Sequence, residues 1–185
     1  MAPKKAAKKA LKKHAKHHEM DRHEGKDLRR AYEHLGRLSA LEKHLPAAVV
    51  TQIRVLTDLA QASLLSGEKK TAAELLRAGE HLAFASIASP AKATRLSEEL
   101  EAVVRAEYEH LVEKAGDRWE KHEDERPAAV EGVYESMISA ADGAFAKGAY
   151  RKALEFARGA EALSHVRGEK KAALRDGSEV KRLKA

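Results

Sequence analysis

The chain has 185 residues and a formal net charge of +6, with no cysteine and only 4% aromatic residues. The missing thiols exclude disulfides, thiolate zinc sites and cysteine nucleophiles. No run of about 18 apolar residues occurs and the basic N-terminus lacks the apolar stretch of a secretory signal, so a soluble, cytoplasmic protein is the expectation.

The charge is unevenly divided. Residues 1–17 hold +7 and residues 167–185 hold +4, which leaves residues 18–166 at −5: a mildly acidic body between two basic ends. Residues 1–20 form the first segment, an arm rich in Lys, Ala and His. Its cations are Lys4, Lys5, Lys8, Lys9, Lys12, Lys13 and Lys16, with no acid among the first 17 residues. Lysines four apart repel one another in a helix, by roughly 0.2–0.5 kcal/mol per pair. The free arm is therefore predicted to be disordered or a frayed helix. A dense row of ammonium groups releases counterions from a nucleic-acid backbone without needing a fold. With no aromatic side chain to stack on bases, such binding would be nonspecific. The stretch MAPKKAAKKALKKHAKHH resembles the Lys-Ala-Pro tails of linker histones and bacterial histone-like proteins, which implies the same backbone-directed binding, in a nucleoid or a nucleus. The same run also reads as a solubilising tail, or as one attracted to an anionic membrane surface. Apart from Met1, Leu11 is the only sizeable apolar residue among the first 18, so insertion into a membrane is not expected.

Beyond the arm the chain repeats itself. YEHL at 32–35 returns at 108–111, EKH at 42–44 returns at 120–122, and PAAV at 46–49 returns at 127–130. GEKKTAAELLRAGEHL (67–82) then aligns without gaps to GAYRKALEFARGAEAL (148–163). Markers in one order indicate an internal duplication. An all-α chain is predicted: a three-helix unit over 21–90, a second over 91–168, and a basic tail or helix extension over 169–185. Whether the six helices form one bundle or a short α-solenoid stays open.

In unit 1, Leu28, Tyr32, Leu35, Leu38, Leu41 and Leu45 form an amphipathic stripe. Pro46 starts a second helix that carries Val49, Val50, Ile53, Leu56, Leu59 or Ala60, and Leu64, and ends at Ser66-Gly67. A third runs from about Glu68 to Ser86, with Ala72, Leu75, Leu76, Leu82 and Ala83 inward. In unit 2 a long helix from about Ala91 to Glu123 carries Leu96, Leu100, Val103, Val104, Tyr108, Leu111 and Trp119. Pro127 starts the next helix, Gly148 ends it, and the last spans Ala149 to Val166. The stretch AADGAFAKGAYRKALEFARGAEAL (140–163) resembles a tetratricopeptide hairpin through Gly148, Tyr150, Ala153 and Ala160. That likeness implies close helix packing through small residues and, beyond it, a partner-binding surface. The period of about 78–81 differs from that family's 34, and Lys69 stands where Tyr150 would recur.

Chemistry-bearing groups are few. His14, His17 and His18, with His23 nearby, have helical spacing suited to a metal, but the surrounding lysines repel cations. Their ordinary effect is to raise the arm's charge as pH falls through about 6.5. Glu107-x-x-His110 invites comparison with di-iron carboxylate bundles, yet Ala31 stands at the duplicate of Glu107 and leaves that site half built. Glu74, Arg77 and Glu80, matched by Glu155, Arg158 and Glu161, form a recurring charged row, a structural ion-pair row or an interaction ridge. Carboxylates such as Glu109, near Lys114, and Glu155, near Arg151 and Arg158, read as solvated partners of cations. No phosphate loop, nucleophile elbow or H-E-x-x-H motif occurs, so neither catalytic residues nor a cofactor are expected. The leading expectation is a non-enzymatic helical-repeat protein whose arm binds nucleic acid, with the body as assembly or partner surface. The alternatives are an acidic protein partner in place of nucleic acid, a protein–protein scaffold whose arm only solubilises, and a metal-binding bundle.

Overall fold

Two turns built the same way set the architecture. Gly67 and Gly148 adopt φ of +82° and +70°, a conformation that glycine takes without the steric cost a Cβ would bring. Each stands just past a helix end. The amide of Glu68 donates to the Ser63 carbonyl and that of Gly67 to Leu64. The amide of Ala149 donates to Ala144 and that of Gly148 to Phe145, so both hairpins close on one paired-bond C-cap. Pro46 and Pro127 precede the first helix of each hairpin with matching extended backbone. From these prolines onward the copies are related by a constant shift of 81 residues.

The computed structural model describes residues 25–88, 96–122 and 126–167. Among these every regular element is helical. Helix α1 covers 25–41 and runs into a single 3-10 turn, Glu42–His44. Then follow α2 (Ala47–Leu65), α3 (Lys69–Ile87), α4 (Glu98–Lys121), α5 (Ala128–Ala146) and α6 (Tyr150–Ser164). The arm, the C-terminal tail and the junction between the units lie outside the described residues.

Helices α3 and α6 lie side by side at the centre. Helix α2 packs on α3, α5 packs on α6, and α2 meets α5, so these four close a bundle. Helix α1 lies against α3 through Leu38, and α4 lies against α6. The fold is thus an all-α duplication whose halves share a core. Small residues make this possible: Ala72, Ala78, Ala83 and Ala85 on α3 and Ala153, Ala157, Ala160 and Ala162 on α6 are all buried. Short side chains let helix axes approach closely. At Gly159 a Cβ would come within 2.8 Å of Met137 Sδ and 3.4 Å of His81 Cβ, so three helices converge on that one bare position. Leu56, Leu75, Leu76, Val130, Met137, Leu163 and Val166 supply the bulk of the fully buried volume.

Most of the expected stripes face inward: Ile53, Leu56 and Ala60 on α2, and all five residues named for α3, are buried. Three expectations fail. Helix α4 does not begin near Ala91 in the form expected, because Ser97 caps it through a bond from the Leu100 amide, with Glu98, Glu99 and Glu101 in the first turn. Hydroxyl cap and acids both favour a start there, and Leu96 precedes the helix. Leu100 and Val103 are exposed, as are Tyr32 and Leu35 on α1. These residues sit toward the edges of stripes wider than the surface available to cover them.

The third concerns YEHL itself. Tyr108 is buried, stacks on Phe145 and donates its hydroxyl to Asp142, whereas Tyr32 is exposed. The two tyrosines are therefore not spatial equivalents. Aligning both YEHL and EKH needs two extra residues inside α4, which runs unbroken, and two residues turn a helix by about 200°. The duplication stands on the prolines, the glycine turns and α2–α3 against α5–α6.

Replacing Gly67 or Gly148 with alanine is expected to lower stability by roughly 1–2 kcal/mol each. Gly36→Ala, inside α1 with open space at its Cβ position, is expected to raise it by up to about 1 kcal/mol. Urea unfolding of the three variants checks both signs.

Candidate functional site

The row of charges on α3 and its copy on α6 becomes a network at the centre of the bundle. Helical spacing puts Glu74, Arg77 and Glu80 on one face, and likewise Glu155, Arg158 and Glu161. Because α3 and α6 touch, the two rows meet. Arg77 Nη1 donates to Glu74 Oε2 at 3.1 Å and its Nη2 donates to Glu161 Oε2 at 3.2 Å, joining the halves. Arg158 Nη1 donates to Glu155 Oε1 at 3.2 Å and its Nη2 reaches Glu107 Oε1 of α4 at 2.7 Å. His81 Nδ1 lies 2.8 Å from Glu155 Oε2, a second link between α3 and α6.

Glu80 and Glu161 are the two charged residues buried among the described residues, and their side chains keep only 9% and 6% of their exposure. Burying a carboxylate is costly unless it is paired and hydrogen-bonded. Both are. Glu80 bonds His34 Nδ1 and accepts from Arg37 Nε at 2.7 Å, both on α1. Glu161 accepts from Lys114 Nζ at 3.1 Å and Arg118 Nη1 at 3.0 Å on α4, and from His165 Nε2 at 3.0 Å, besides Arg77. Each outer helix thus docks onto its central helix through one buried carboxylate. His34 corresponds to Lys114 and Arg37 to Arg118 at shifts of 80 and 81, close to the shift of the hairpins.

The protonation of these groups follows their surroundings. Burial pushes the Glu80 carboxyl up, but the His34 bond and charge and the Arg37 charge and bond outweigh it and hold the group below its ordinary 4.5. The His165 bond, against burial and helped by Lys114 and Arg77, holds Glu161 far below the carboxylate range. Burial lowers His81 below its ordinary 6.5, against the raising effect of Glu155. Burial, then the bond to Asp142, keeps the Tyr108 phenol protonated well above its usual range.

The recurring row is an ion-pair row. Lys114 turns to Glu161 instead of standing beside Glu109 in solvent, since five residues along a helix separate the two by about 140°. Glu107 is taken by Arg158, so the Glu-x-x-His pair does not open on an interior site. Among the described residues no group of three His, Asp or Glu side chains is placed to hold a metal. Several cations of this network were hidden in the sequence. Arg37 follows His34 by three and Arg118 follows Lys114 by four, each on the flank of an apolar stripe, and that spacing was the available signal. The seven lysines Lys4, Lys5, Lys8, Lys9, Lys12, Lys13 and Lys16, and His14, His17, His18 and His23, lie outside the described residues.

Comparison with family models, curated proteins and solved structures returns no match.

Glu161→Gln is expected to cost about 2 kcal/mol, because four donors, Arg77, Lys114, Arg118 and His165, lose their charged partner in a site only partly open to water. Glu80, Glu161 and His81 all have folded pKa values below their unfolded ones, so the stability they confer is present above the unfolded values and lost as pH falls. Urea midpoints should hold steady from about pH 6.5 to about 9, fall below 6.5 as His81 protonates, and fall further below about 4.5. His81→Gln should remove the first decline and leave the second.

Proposed function

We propose that this is a non-enzymatic binding protein whose lysine-rich arm holds nucleic acid without sequence preference while the helical body serves for assembly. One observation carries the reading: seven lysines and no acid within residues 1–17, joined to a body of −5. A phosphate backbone answers such a row through counterion release. Five of the body's cations support the division of labour. Arg37, Arg77, Lys114, Arg118 and Arg158 are all engaged with carboxylates, so they do not form a free basic stripe that could track a duplex. Among the described residues no helix is long and apolar enough to cross a membrane.

A second reading, a protein–protein scaffold with a solubilising arm, draws on the exposed Tyr32, Leu35, Leu100 and Val103.

Binding of a fluorescent DNA duplex across a salt series distinguishes them. The whole chain is expected to bind with a log–log slope of roughly −4 to −5, as about 4 to 6 lysines neutralise phosphates. Removal of residues 1–18 should abolish binding. A whole chain that stays unbound at low salt excludes the nucleic-acid reading and leaves the scaffold.

A further inference from the structure

The chain carries a copy of its own first unit, and the copy shows where the first unit is unfinished. Between α4 and α5, Trp119 lies flat on Tyr134 with ring centroids 3.7 Å apart, and the Arg126 guanidinium covers the indole at 3.7 Å. In unit 1, at the shift of 81, Ile53 takes the place of Tyr134. Across from it Leu35, Leu38 and Leu45 supply no ring. What remains between α1 and α2 is a groove of about 260 Å³, floored by Val50 and Ile53 and rimmed by polar side chains of both signs, Glu42, Arg54 and Asp58 among them. Along its apolar floor such a void forfeits contacts that a ring would restore.

The missing ring is close by. Tyr32 is 62% exposed, the one exposed aromatic side chain among the described residues. It precedes Leu35 by three residues and Ser39 by seven, which places it on the same stripe of α1 as these two groove residues. It does not line its own groove. The rest of the chain offers no substitute, for residues 1–24, 89–95, 123–125 and 168–185 contain no Phe, Trp or Tyr.

We propose that the groove is filled by Tyr32 of a second copy of this chain, in a two-fold symmetric dimer where each protomer gives one ring and receives one. A patch that holds both knob and hole is self-complementary, which is what a two-fold interface requires. A tyrosine suits the place, since its apolar body would meet the leucines while its hydroxyl reaches the polar rim. One charge agrees under exchange. Arg29, one turn before Tyr32, exposed to 72% and paired at the surface with Glu33 at 3.5 Å, lies on the flank that would meet Asp58, while the other acid of the rim, Glu42, is held by Arg54 at 3.2 Å. The dimer goes beyond the function proposed above by naming what the body assembles with, and it holds whether or not the arm binds nucleic acid. If the arm does bind, two arms on one particle raise its effective affinity for a long polyanion.

Sedimentation equilibrium of the whole chain, without nucleic acid and across a wide concentration series, tests this. The wild type is expected to pass from monomer to dimer. Tyr32→Ala should raise the dissociation constant roughly thirtyfold with unchanged helical circular dichroism, and Tyr32→Phe should retain most of the affinity. Arg29→Glu should weaken the dimer and Asp58→Arg in the same chain should restore it. Val103→Ala, on the exposed part of α4, should change nothing. A monomer at every concentration overturns the proposal, and so does a dimer indifferent to Tyr32→Ala or one that Val103→Ala dissolves. Nucleic acid plays no part in this readout, so its result stands apart from that of the duplex titration.

Discussion

The close contact of α3 with α6 is the constraint on which the rest of the body depends. It requires small residues along both helices and none larger than glycine at Gly159. Once the two helices lie together, their charged rows face one another and must be neutralised out of full contact with water. Arg77 does this across the seam, where His81 also bonds Glu155, and Glu80 and Glu161 become the points onto which α1 and α4 dock. Packing therefore comes first and the ion pairs follow from it. Buried pairs of this kind add little net stability over apolar residues of the same shape, but losing one partner leaves a charge stranded. Here each one joins a central helix to one face of an outer helix, Glu80 to His34 and Arg37 of α1 and Glu161 to Lys114 and Arg118 of α4.

The two copies have diverged in how they solve the same problem. Unit 2 fills its first interhelical space with aromatics: Trp119 on Tyr134, and Tyr108 on Phe145 with Tyr150 edge-on. Unit 1 uses leucines there and keeps its aromatic outside. The carboxylates differ as well. Glu80 is satisfied from α1 alone, whereas Glu161 gathers donors from α3, α4 and the end of α6. Unit 1 thereby keeps an aromatic ring on its surface beside an open groove, while unit 2 keeps Leu100 and Val103 exposed on α4. That difference is visible only because the fold provides an internal standard.

Much of the helical order was legible in the residues. The prolines, the glycines at 67 and 148 and the leucine spacing placed α2, α3, α5 and α6 within a few residues of their ends, because caps and apolar periodicity act locally. The start of α4 was also written, in Ser97 and the acids after it, but a longer apolar periodicity competed with that signal. YEHL misled for a different reason. Four shared letters do not specify which side of a helix faces the core, and one or two residues of drift turn the face away.

The ionic network shows the same boundary more sharply. Composition located the charges and spacing grouped them into rows, so an ion-pair row was expected within each helix. The partners were another matter: Arg77 with Glu161, Arg158 with Glu107 and Lys114 with Glu161 join residues on different helices, brought together only once α3, α4 and α6 have packed. By itself the sequence determined an all-helical, duplicated chain, its turns, and the concentration of positive charge in the arm, since propensity, capping and net charge are properties of neighbouring residues. Only the tertiary structure decided which carboxylates are buried, which cations hold them and which groove stays open, because those depend on distances between helices that no local pattern encodes.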